Sequence, residues 1–212
     1  MAFATIGTRG IQAQSVDLSS KVTGTLPVPN GGLGIASGTT GQFLKFSGTE
    51  TLASSAVSAG ITGIDTWGLS SSVTQSSGGV NITSNWARRT TDKSSSLGTA
   101  MTESSGVFTF PSTGYWLILC NFYFSGNSST HYRGVIMKNN NGTDLSSSYG
   151  HGAGSNPNWD HDAVSVHYNM DVIDTTANTN KIYFQTNAGG TCSVAGGANG
   201  QSYVSFIRLG DT

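Results

Sequence analysis

The sequence predicts an all-β protein in two unlike parts: an extended N-terminal shaft that three copies wind together, then a C-terminal β-sandwich or jelly roll. Three observations predict this. Between Ser15 and Gly48 the apolar residues come singly or in pairs, separated by Gly, Ser, Thr and Pro. From about Ile64 onward, short stretches alternate apolar and polar with period 2. Nowhere do apolar residues recur at i, i+3, i+4 and i+7 over three turns, so almost no helix is expected.

Composition agrees. Of the 212 residues 36% are hydrophobic and 10% charged, against about 45–50% and 25% in ordinary domains. Gly is abundant at 29, yet four Trp, seven Tyr and nine Phe, with a net charge of -1, separate the chain from disordered sequences. A near-neutral balance with one adjacent basic pair, Arg88-Arg89, argues against nucleic-acid binding. No run of about 20 apolar residues predicts a membrane span. MAFATIGTRG lacks a basic-then-apolar leader, so synthesis and assembly are expected in a cytoplasm. Two cysteines are too few for a disulfide framework, and Cys120 reads as a small buried hydrophobe.

Residues 1–63 form the predicted anchor and shaft. A lone chain whose apolar residues are as sparse as Val16, Leu18, Val22, Leu26 and Val28 cannot offset its backbone entropy. Three copies could, each residue meeting its symmetry mates on an axis. A flexible linker is the plainer alternative. Gly31-Gly32 and Gly34 mark a tight turn.

Residues 64–212 form the predicted head. Val107 to Phe110, closed by Pro111, is a short strand. Tyr115 to Phe124 is the strongest. Trp116, Ile118, Cys120, Phe122 and Phe124 share one apolar face, and Tyr115, Leu117, Leu119 and Tyr123 share the other, interrupted by Asn121. A strand apolar on both faces is covered on both. One face meets the core, and another subunit is the economical cover for the other. Further strands are expected at Arg133 to Lys138, Ala163 to Asp171, Lys181 to Thr186 and Tyr203 to Leu209. The stretch from Asn139 to Asp160 is read as a long connecting loop.

TAMTESSGVFTFPSTGYW at 99–116 and the closing YVSFIRLGDT resemble strands of the jelly-roll family of tumour necrosis factor and the complement first-component globular head. Phage structural proteins, notably of tailed cyanophages, carry close variants. VTGTLPVPNGGLGIASGTTGQFLKFSG resembles shaft segments of phage tail fibres, which read closer to LPxANGGTG; Pro29 and Leu33 depart from that pattern. The resemblance implies a homotrimer around a threefold axis with aromatic faces at the interface. It also implies a virion location, with the N-terminal segment facing other virion proteins.

Candidate chemistry is sparse. Asp160 and Asp162 could share an ion while His161 points away, but no spaced acidic loop for calcium is visible. The plainer reading is an Asn/Asp-rich turn, and no metal site is assigned. His131, His151, His161 and His167 with Cys120 or Cys192 match no catalytic or zinc pattern. No enzyme and no cofactor is expected.

The Asn139–Asp160 stretch carries Tyr149, His151 and Trp159 among small polar residues, a chemistry suited to a saccharide or protein contact. Trp159 packing on the sandwich is the structural alternative.

The first functional reading is a short trimeric tail or neck fibre. It is anchored through Ile6, Ile11, Val16, Leu18 and Leu26, and its head is exposed to a host-surface saccharide or protein or to neighbouring virion proteins. A capsid decoration protein or head fibre is the alternative, and a free lectin-like binding module the second.

Overall fold

The structure is a computed structural model and describes residues 42–48, 51–56, 60–90, 96–126, 132–151, 160–197 and 201–211. The chain divides into two compact units, Met1–Ser58 and Ala59–Thr212. The predicted anchor residues, the 31–34 turn and most of the predicted shaft lie outside the described residues.

In the first unit, β1 (Gln42–Gly48) and β2 (Thr51–Ala56) form an antiparallel hairpin with Phe43 opposite Ser55 and Phe46 opposite Leu52. Within the predicted shaft, QFLKFSG thus has enough alternation to pair locally with the strand that follows it. Phe43, Leu44 and Phe46 are exposed on it.

The second unit is a sandwich of two antiparallel sheets. The front sheet holds β3 (Gly63–Leu69), β4 (Val73–Gln75), β6 (Trp86–Arg88), β9 (Gly114–Gly126), β12 (Asp160–Val172), β14 (Cys192–Val194) and β15 (Tyr203–Gly210). Its spine is β9. On one side β12 pairs with β9 along its whole length, Asp160 opposite Gly126 through Val172 opposite Gly114. On the other side lie β15 and then β3 and β6, with β14 and β4 at the far end.

The back sheet holds β5 (Gly78–Asn81), β7 (Thr102–Ser104), β8 (Val107–Thr109), β10 (Tyr132–Asn139), β11 (Asp144–His151) and β13 (Lys181–Ala188). It runs β11–β10–β13, and the far side of β13 is shared by β8 and β5. One 3-10 turn, Asn178–Asn180, precedes β13.

The six strands read from the sequence are present as β8, β9, β10, β12, β13 and β15, with bounds shifted by at most three residues. The long loop is a correction. Its first half is β11, joined to β10 by a tight turn in which Asn139 Oδ1 accepts from the Asn141 and Thr143 amides and Gly142 takes a φ of 88°. The strand DLSSSYGH has serines where alternation needs apolar residues, because it is a sheet edge with little to bury.

Between the sheets an aromatic cluster closes the core. Phe108 lies edge-on to Trp67 at 5.6 Å and to Trp86 at 5.1 Å, and also meets Phe184 and Phe206. Buried charge is paired. Asp65 accepts from Trp67 Nε1, Arg88 Nε and the Met101 amide, tying β6 and the approach to β7 onto β3. Arg133 on β10 donates to Asp162 on β12 at 3.1 Å, clamping the two sheets where their edge strands meet. Losing either partner would strand a buried charge, a cost of about 3–5 kcal/mol.

Candidate functional site

Alternation along β9 decides what the front sheet shows to the outside. Trp116, Ile118, Cys120, Phe122 and Phe124 are buried in the core. Tyr115, Leu117, Leu119 and Tyr123 fall on the outer face, as the period requires. Tyr115 is 48% exposed and Leu119 39%, while Leu117 and Tyr123 are half-buried.

Register extends this patch beyond β9. Tyr203 lies opposite Asn121, Ser205 opposite Leu119 and Ile207 opposite Leu117, and Ile64 on β3 pairs with Ile207. These residues of β3 and β15 were missed by sequence reasoning. The signal was present in YVSFIRL, where Tyr203 and Ile207 alternate with the buried Val204 and Phe206, but which strand lies beside β9 is a fact of topology.

Four polar side chains of this face are bonded within it, whereas His167, Asn169 and Asp171 on β12 are exposed beside it. Asn121 Nδ2 donates to the Gln201 carbonyl at 2.9 Å, and its Oδ1 accepts from Ser165 Oγ at 2.9 Å. Thr66 and Ser205 share a hydroxyl bond at 3.0 Å. Covering the face over Asn121, Ser165, Thr66 and Ser205 leaves these groups with partners and avoids their usual polar penalty. A shallow hollow of about 180 Å³ lies among Leu119, Asn121, Ser165, His167 and Tyr203. Its floor includes Cys120, whose thiol burial pushes up to about 12, partly offset by a backbone hydrogen bond at Val166. Such a thiol is no nucleophile near neutrality.

Two of the predicted contact residues share one strand face. Tyr149 and His151 lie on β11, on the outer face of the back sheet, not on a loop. The Tyr149 ring covers Gly134, where a Cβ would fall 2.2 Å from it, and meets the Tyr132 ring at 6.0 Å. His151 pairs opposite Tyr132. Trp159 lies outside the described residues.

Asp162 and His161 both have partners within the fold. Asp162 is committed to Arg133, and His161 stacks on Tyr123 at 5.4 Å. His167 sits opposite Leu119 on the front face. Among the described residues no three His, Cys, Asp or Glu side chains group as metal ligands, and no helix is long and apolar enough to cross a membrane.

Comparison with known proteins places this architecture. No family model matches the chain, and no curated protein does. Among solved structures it is similar to Eiger, a TNF of S. frugiperda, at 11% identity and a TM-score of 0.52, over 73% of this chain and 96% of that one. Murine APRIL is similar at 9% identity and a TM-score of 0.48, covering 69% and 98%. The PRD1 vertex protein P5 follows at 12% identity and 0.45, covering 71% and 99%. At these identities the likeness to Eiger speaks to the fold alone: the second unit is a jelly-roll sandwich of the tumour-necrosis-factor type.

Proposed function

We propose that the chain is a non-enzymatic structural protein of a bacteriophage particle, acting as a homotrimer whose head is built around the outer face of the front sheet. One observation carries the assembly: this face is apolar along its middle strands, and the polar side chains set among them, Asn121, Thr66 and Ser205, are bonded within it. A monomer gains nothing from satisfying polar groups internally on a surface that water covers. A second copy of the chain gains a dry interface, and the central hollow accepts a side chain from it. A closed ring needs two different patches per copy, and the free edge formed by β11 and β12 supplies the second.

The phage assignment rests on sequence, on the likeness of LPVPNGGLG to fibre shafts. The β1–β2 hairpin supports an assembled N-terminal unit, because an isolated two-stranded hairpin with exposed Phe43 and Phe46 is marginal in water. In this reading the N-terminal unit docks on other virion proteins. Tyr149 and His151 on the back sheet lie free to meet a partner or a host surface.

Sedimentation of the full chain tests the assembly. The expected mass is about three times the 21.9 kDa of one copy. A compact single copy at micromolar concentration ends the proposal. Antibody against the head, imaged on whole particles, then separates a tail or neck fibre from a capsid-bound trimer, and absence from particles would leave the free binding module.

A further inference from the structure

A notch of about 260 Å³ opens on the back sheet, away from the front face, where β13 changes neighbour from β5 to β8. Its walls are fixed by backbone. Ile82 N donates to the Phe184 carbonyl, and Asn140 N to the Lys181 carbonyl. The Ser105-Gly106 turn packs so tightly that a Cβ at Gly106 would fall 2.2 Å from the Ile82 carbonyl oxygen.

We propose that this notch is a binding site for one neutral sugar ring. The polar groups that line it are Asn81, Thr83, Ser105, Asn140 and Tyr183. None is charged, so an ionic ligand would lose its hydration there without a counter-charge.

Asn81 uses its carbonyl oxygen on Gln185 Nε2 at 2.8 Å, which leaves its amide hydrogens without a partner among the described residues. Asn140 does the reverse. It donates to Asn178 Oδ1 at 3.0 Å and leaves its carbonyl oxygen open. The notch thus offers a donor on one wall and an acceptor on another, with two aliphatic hydroxyls and a phenol able to act as either. Sugar hydroxyls require this pairing. The half-buried Tyr183 ring, with the half-buried Val107 beside it, supplies an apolar surface for the C–H face of the ring.

Size sets the rest. Drug-sized ligands occupy about 300–1,000 Å³, so a single ring at millimolar affinity is the expected occupant. Three such sites on a trimer would add avidity of about a hundredfold or more toward a polymeric glycan. That gain rests on the trimer; the site does not. Nor is the site part of the Tyr149 patch, since Tyr132 and Asn140 stand eight residues apart along and just past β10, about 25 Å.

Saturation-transfer NMR on the full chain with the methyl glycosides of glucose, galactose, mannose and N-acetylglucosamine tests the site. At least one is expected to receive saturation, strongest on the protons of one ring face. Tyr183→Ala and the surface change Thr83→Val are each expected to weaken it about three- to tenfold, the worth of one good contact. Tyr149→Ala is expected to leave it unchanged. No transfer to any of the four, or transfer as strong in both notch variants as in the parent, overturns the site. Sedimentation of the same samples keeps the two proposals apart: a trimer without transfer sinks the site, whereas a monomer with transfer sinks only the assembly.

Discussion

The two sheets of the head bury equally apolar inner faces and present unlike outer ones. On the front sheet, Tyr115, Leu117, Leu119, Tyr203 and Ile207 point outward. On the back sheet the matching positions are Lys138, Ser147, Gln185 and Asn187, with Ile136 buried among them and the aromatic rings of Tyr132, Tyr149 and Tyr183 beside them. The fold demands only the inner faces. What each sheet shows on its other side is free to record what it meets, and the proposed assembly assigns the front face to burial and the back face to solvent. That contrast is physical and can be broken.

The largest effect is expected from a charge in the front face. Leu119→Asp should dissociate the proposed trimer, since losing a central contact costs about 2 kcal/mol or more at each of three interfaces, about ten-thousandfold in all. Ser147→Asp, the same charge on the back face, should leave the sedimented mass unchanged. If both variants behave alike, the two faces do not differ in role.

Cys120 shows whether dissociation is also unfolding. With its thiol pushed up to about 12 by burial, Cys120 carries almost no thiolate at pH 8. An aromatic disulfide reagent should therefore leave Cys120 unmodified in the parent and in Leu119→Asp alike, and label it once urea unfolds the chain. Rapid labelling of the native variant would mean that the charge had opened the core rather than parted the copies.

The same contrast explains what was legible in the sequence. Strands buried on at least one face announced themselves: YWLILCNFYF is β9, and VSVHYNM lies within β12. Strands at an edge or under a turn did not. In β11, DLSSSYGH buries too little for alternation to survive, although Asn141-Gly142 before it was a hairpin signal. β3 was overlooked because Asp65 stands at an inward position among Gly63, Trp67 and Leu69. Its carboxylate is buried only because Arg88, Trp67 and Met101 converge on it, and no local pattern reveals partners 23 and 36 residues away. The front face was half legible, through β9, since its share from β15 depends on which strand lies alongside. The notch was not legible at all: Asn81, Ser105, Asn140 and Tyr183 come from four separate segments.

A smaller effect is expected on the back sheet at Gly134. Alanine in a strand is worth about 0.5–1 kcal/mol over glycine, but a Cβ here would strike the Tyr149 ring. Displacing the ring forfeits its contact with Tyr132, about 0.5–1.5 kcal/mol, and its cover over the strand. Gly134→Ala should therefore lower stability by about 0.5 kcal/mol, one or two degrees in Tm for a chain of this size. Adding Tyr149→Ala should cost less in that background than in the parent, since the contact is already lost. Equal costs in the two backgrounds would show that the ring does not lean on Gly134.

The smallest effect lies in the connection between β12 and β13, outside both faces. Thr176 donates its hydroxyl, at 2.7 Å, and its amide, at 2.8 Å, to Asp174 Oδ1, and Asn180 Nδ2 donates to the Asp174 carbonyl. The Thr176 hydroxyl first and its amide second hold the Asp174 carboxyl below its ordinary value, with a small contribution from Lys181. The unfolded chain therefore takes up a proton at higher pH than the folded one. The contribution is complete above the ordinary aspartate value of about 4 and fades as pH falls through the lower folded value. Thr176→Val removes the first donor, so the Asp174 carboxyl should titrate closer to its ordinary value by carbon NMR. The variant should also lose less stability than the parent between pH 5 and the acid end of an unfolding series. The group is fully exposed, so the difference should be small. An unchanged Asp174 titration in Thr176→Val would mean that the turn, rather than the hydroxyl, holds the carboxylate.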